Sequence, residues 1–100
     1  MILEHADIRI APGRQAEFEA AIHRGLTTVI ARAGGFRSAR VVRGIESAER
    51  FVLMIEWDTL EAHTVGFRES PLFAEWRAIV GPFFAAPPVV EHFEFTSAQA

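Results

Sequence analysis

The first ten residues alternate. In "ILEHADIRI", Ile2, Glu4, Ala6, Ile8 and Ile10 fall on one face, and Leu3, His5, Asp7 and Arg9 on the other. A period of two predicts a strand. "APG" (Ala11–Gly13) predicts a turn. From Arg14 the period becomes helical, with Phe18, Ile22, Leu26, Val29 and Ile30 on one stripe and Gly34–Gly35 as the stop. "FRSARVVRGI" predicts a second strand, "ESAE" a polar turn and "FVLMIEW" a third strand. This third strand is apolar on both faces: Phe51, Leu53, Ile55 and Trp57 on one, Val52 and Met54 on the other. Such a strand belongs in the middle of a sheet covered on both sides. Asp58 with Glu61 has the spacing of a capping box and predicts a short helix through about Phe67. Ser70 and Pro71 predict a restart as N-cap and first helical residue. Leu72, Phe73, Trp76, Val80 and Phe84 then form an apolar stripe, "APP" (Ala86–Pro88) breaks it, and "VVEHFEF" predicts the last strand. Residues 96–100 form a tail.

The predicted order is β-α-β-β-α-β within a single domain spanning residues 1–100. That is an α+β, ferredoxin-like arrangement: a four-stranded antiparallel sheet with both helices on one face. Helices on one face leave the other side of the third strand bare. In a chain of 100 residues, a second copy is the simplest cover, so a homodimer closed sheet against sheet is expected.

Composition narrows the chemistry. Without cysteine there is no disulfide, thiolate nucleophile or cysteine-bound metal. Without tyrosine no Tyr-mediated mechanism is open. The net charge of −3 is spread along the chain, with no basic patch for nucleic acid. Glu4 interrupts the N-terminal apolar run, which argues against a signal peptide. No run approaches the roughly 20 apolar residues of a membrane span. A cytoplasmic location is the expectation.

The four histidines, His5, His23, His63 and His92, lie in no metal-binding motif. Glu4–His5 and Glu91–His92 are sequence neighbours on opposite strand faces. No Gly-rich nucleotide loop is present, and Ser70 is explained as a cap. No metal or cofactor is therefore expected.

His63 lies one turn before Phe67, on the same helix face. It is either a general base beside aromatic rings or a half-exposed histidine bonded to a carbonyl. His92, which shares a strand face with Val90 and Glu94, lines either a cavity or an interface. Glu4 sits on an otherwise apolar face, where burial needs a partner such as Arg68 or a histidine, unless the strand end reaches water. Trp57 and Trp76 are core aromatics whose indole N–H groups require partners. Arg68 and Arg77 flank the same region, where a cation at a pocket mouth would favour a phenolate.

A Pro-Gly turn followed by "EFEAA", a strand ending in "EW" that runs into "DTLEAH", then "FRESPLFAEW" and a closing "PPVVEHFE" carry a resemblance. From Ile2 to about Phe95 the chain resembles the antibiotic biosynthesis monooxygenase (ABM) domain family. The resemblance implies a dimeric α+β barrel with a pocket between helices and sheet in each subunit. Some members oxidise phenols or hydroquinones with O₂ and neither metal nor flavin; others degrade haem; many have no known activity.

The haem-degrading pattern has asparagine, tryptophan and histidine where this chain has Ala6, Phe67 and Arg77. The histidine is the haem ligand, so its absence argues against haem degradation. For the cofactor-independent branch, the resemblance implies a base, His63 or His92. It also implies an aromatic slot from Trp57, Phe67, Phe73 and Trp76, and Arg68 to steady the anion. The resulting expectation is a monooxygenase acting on a small aromatic, phenolic or hydroquinone substrate with O₂. The alternatives are a non-catalytic ligand-binding or structural domain, and an isomerase or lyase on the same fold.

Overall fold

Alternation along "RFVLMIEW" produces β3 (Arg50–Trp57), with Phe51, Leu53, Ile55 and Trp57 all buried on one face. In the computed structural model, which describes all 100 residues, β3 pairs antiparallel with β1 (Ile2–Arg9) on one side and β2 (Phe36–Arg43) on the other. The last strand, β4 (Val89–Glu94), pairs with β1, giving the order β2-β3-β1-β4. Element order and pairing are those of the ferredoxin-like fold expected from the sequence. The two-faced strand is indeed central.

Helices α1 (Gln15–Thr28) and α2 (Pro71–Val80) cover the face that carries Ala6, Ile8, Leu53 and Ile55. They meet at Gly25. A Cβ built there would lie 2.7 Å from the Trp76 ring, so only glycine lets the two helices approach this closely. α1 ends at Thr28, earlier than Gly34–Gly35 predict, and a 3₁₀ turn (Ile30–Arg32) follows. The hydroxyls of Thr27 and Thr28 bond back to the carbonyls of His23 and Arg24, a pattern that bends helices. Gly35, at φ +83°, then makes the turn into β2.

The segment after β3 departs from the expected capping box. Asp58 instead accepts from Arg37 Nη1 at 2.7 Å, a partner held on β2. Thr59 takes over the cap, its Oγ1 accepting from Ala62 N. After one short α turn the backbone widens into a π-helix, Ala62–Phe67, and Arg68 N donates to His63 O, five residues back. The second restart is as predicted: Ser70 Oγ accepts from Leu72 N and Pro71 is the first residue of α2.

The opposite face of the sheet carries no helix. Leu3, Val52 and Met54 are part-exposed there, and Val42, Val89 and Phe93 are exposed. Asp7 and Arg50 form a two-bond ion pair across this face, at 3.1 and 2.7 Å. The Arg50 bond holds the Asp7 carboxyl below the usual carboxylate range.

Candidate functional site

Register brings the chemistry together. Glu4 and His92 are directly opposite each other on the β1–β4 pair, on the helix-covered face. Trp57 lies on the same face of β3, opposite Ile2. The π-turn holds His63 over this corner, its ring stacked on Trp57 at 5.3 Å between centroids and 20° between planes. Phe67 follows on the same side of the turn, 6.1 Å from His63. Phe73 meets Phe67 edge to face at 5.7 Å.

The polar groups form a chain. Trp57 Nε1 donates to Glu4 Oε1 at 3.0 Å. His63 Nε2 stands 3.3 Å from that same oxygen. The other nitrogen of His63, Nδ1, shares a hydrogen bond of 2.8 Å with His92 Nε2. Glu4 and His63 are 6% and 3% exposed, which excludes a Glu4 that reaches water at the strand end and a half-exposed His63. Every buried side-chain nitrogen and oxygen of the protein has a partner, as burial of polar groups demands. No group of three or more His, Cys, Asp or Glu converges as metal ligands.

Burial sets the proton affinities. It pushes the Glu4 carboxyl up, against the opposing pull of the Trp57 bond and the Arg68 charge. It pushes His63 down to about 4, helped by the nearby charge of Arg68 and by His92. His92 is lowered for the same first reason, burial, with Arg68 adding to it. Desolvation disfavours the charged form of each group. His63 is therefore a neutral imidazole at pH 7.

A cavity of about 980 Å³ opens beside this chain, between the helices and the sheet. Glu4, His63, Phe67, Arg68, Phe73 and Trp76, all singled out in the sequence, are on its wall. Trp57 and His92 are not among its lining residues. Trp57 is wholly buried behind Glu4 and His63, so it orients the carboxylate rather than forming part of the slot. His92 stands behind His63, half-buried. The far wall, Gly81–Pro82 and Phe84–Pro88, was not anticipated beyond the chain break at "APP". The proline pair there lacks backbone donors, which was the one available signal of an apolar wall. Arg68 makes no ion pair, which leaves its guanidinium free at the cavity edge. Arg77 lies 5.8 Å over the Phe73 ring. His5 and His23 take no part: His5 meets Phe93 on the other face of the sheet, and His23 is exposed on α1.

A ferredoxin-like α+β domain with an apolar cavity and a buried carboxylate–imidazole pair is the class these observations define. The family follows from comparison. Residues 1–79 match the model of the family described as antibiotic biosynthesis monooxygenase, and the chain belongs to that family. It is 36% identical over 94 residues to YczJ of Bacillus subtilis (strain 168), an uncharacterised protein, covering 94% of this chain and 98% of that one. A crystal structure of a Bordetella bronchiseptica protein of the same type superposes with a TM-score of 0.90 at 40% identity, over 95% of this chain and 96% of that one. A Streptomyces coelicolor monooxygenase from ActVA-Orf6, solved with nanaomycin D, shares the fold at a TM-score of 0.83 and 20% identity, over 99% of this chain and 90% of that one. No helix is long and apolar enough to cross a membrane.

Proposed function

We propose that this protein is a cofactor-independent monooxygenase that oxidises a small phenol or hydroquinone with O₂. The observation that carries the reading is the buried Glu4–His63 pair on the wall of an apolar cavity whose edge holds the unpaired Arg68. A phenol must first lose its proton, because the phenolate passes an electron to O₂ far more readily. Glu4, with its affinity raised by burial, is matched to accept that proton. His63 and Trp57 orient the carboxylate, and Arg68 opposes the negative charge that develops on the substrate. Phe67, Phe73 and Trp76 supply the flat apolar slot. One oxygen atom then enters the ring and the other leaves as water with two substrate hydrogens, so the substrate is its own reductant.

The bare outer face of the sheet supports a homodimer as the working unit. Val42, Val89 and Phe93 are exposed there, with Leu3, Val52 and Met54 part-exposed, apolar side chains set around the Asp7–Arg50 pair that nothing within one chain covers. Sedimentation at micromolar protein should give twice the chain mass, and a Phe93→Glu variant should give one.

Oxygen uptake with a panel of hydroquinones tests the activity. Uptake is expected with the wild-type chain and its loss with Glu4→Gln. Equal uptake by a His63→Ala variant would remove His63 from the mechanism. Proton exchange on a bound substrate without oxygen consumption would replace the oxygenase reading with an isomerase. Ligand binding with neither would leave a binding domain.

A further inference from the structure

Three members of the polar chain differ in what they face. Glu4 and His63 are on the cavity wall. His92 is not, yet it is bonded to His63 at 2.8 Å. Its own far nitrogen, Nδ1, has no partner within the protein, and no unpartnered side-chain nitrogen of the structure is buried. That atom therefore reaches water. His92 sits on β4, an edge strand of the sheet, and is absent from the cavity lining, so its contact with water does not run through the cavity wall.

The hydrogen bonds of this chain can be arranged in two ways. Trp57 is a donor only, so its bond to Glu4 is the same in both. With Glu4 ionised, His63 carries its proton on Nε2, facing the carboxylate, and His92 donates from Nε2 to His63 Nδ1. With Glu4 protonated, the other two bonds reverse: the carboxyl donates to His63 Nε2, His63 Nδ1–H donates to His92 Nε2, and His92 carries its proton on Nδ1. The two arrangements differ by one proton. That proton enters or leaves at His92 Nδ1.

We infer that His92 is the port through which the buried Glu4 exchanges its proton with solvent, by way of His63. Discharge is three linked transfers. The Glu4 proton passes to His63 Nε2, the His63 Nδ1 proton passes to His92 Nε2, and the His92 Nδ1 proton passes to water. One proton reaches solvent and a carboxylate is left at the cavity. The 3.3 Å separation of Glu4 and His63 is closed by a small carboxyl rotation, as catalytic contacts tighten when a site fills. A ligand that fills the cavity and expels its water leaves this route intact, so Glu4 is readied as a base while the substrate is in place. The consequence for turnover rests on the assignment of Glu4 as the base; the exchange route itself does not. Arg68 faces the same three groups and is the one permanent charge beside them.

The experiment is proton NMR of ¹⁵N-histidine-labelled protein without substrate, reading the exchange of the His63 ring N–H with water. The comparison is with His92→Gln, whose amide still donates to His63 Nδ1 but cannot pass a proton on. Exchange in His92→Gln should slow by about tenfold or more, and added imidazole should restore it in His92→Ala. Exchange as fast in His92→Gln as in the wild type would overturn the inference, because water would then reach His63 from the cavity. In protein that consumes O₂, His92→Gln should lower kcat and leave KM unchanged. Slowed exchange in a protein that consumes no O₂ would retain the port and remove the oxygenase. Oxygen uptake with unaltered exchange would do the reverse.

Discussion

Two ends of one buried layer use the same physical effect for opposite purposes. At the end near the first turn, Phe18 packs edge to face on Phe51 at 4.9 Å and on Phe83 at 5.6 Å, with Ile8 and Val80 alongside. No polar side chain is buried there. At the other end, Trp57 and Phe67 bring comparable aromatic surface, but they enclose Glu4 and His63. Burial of hydrocarbon stabilises the first end. Burial of ionisable groups at the second end moves proton affinities, at a cost to stability. The difference teaches that stability alone does not account for the cavity end, since an all-apolar filling would be at least as stable.

The largest effect expected is at the dry end. Phe18→Ala should cost about 3–5 kcal/mol, read by urea unfolding, while the pH dependence of any activity stays where it was. A shift in that pH profile would show that the two ends are not separable.

Next is the acid response of the polar end. Above pH 6.5 His63 is neutral in both folded and unfolded chains. Between 6.5 and about 4 the unfolded chain binds a proton on this histidine and the folded one does not. Stability therefore falls on acidification through that window, by on the order of 3 kcal/mol, and His92 acts in the same sense. Glu4 acts oppositely: its raised affinity means that the folded protein gains stability as pH falls toward 4.5. Unfolding measured from pH 7 to 4 should be steeper in acid for Glu4→Gln and flatter for His63→Gln. Identical slopes in all three proteins would contradict the burial argument. The smallest effect is outside both ends. Ser70→Ala removes the cap of α2 and should cost about 1 kcal/mol, with no change in either pH response.

Much of the fold was legible because it rests on local periods. Alternation at Ile2–Ile10 and Phe51–Trp57, and the Ser70–Pro71 start, depend on neighbouring residues alone. Asp58 was misread because its partner, Arg37, comes from another strand, and no spacing rule reports competition of that kind. The π-turn was invisible for a similar reason: His63 and Phe67 share a face in either helix type, and only the five-residue bond to Arg68 distinguishes them. At the site, each of Glu4, His63 and His92 stood out for its own reason. Their assembly did not, because it depends on the register that sets Glu4 opposite His92. Sequence adjacency is no guide to it, since Glu4–His5 and Glu91–His92 are pairs that the strand pleat turns apart. Trp57 was assigned to the slot on the family resemblance, whereas its N–H is committed to Glu4 from behind.

The most direct test of burial-tuned proton affinity is a ¹³C NMR titration of the Glu4 side-chain carboxyl, identified by its loss in Glu4→Gln. The midpoint should lie above the ordinary 4.5, and both His63 and His92 should report the same transition through a change of tautomer. A midpoint at or below 4.5, with the histidines silent as Glu4 titrates, would contradict the account.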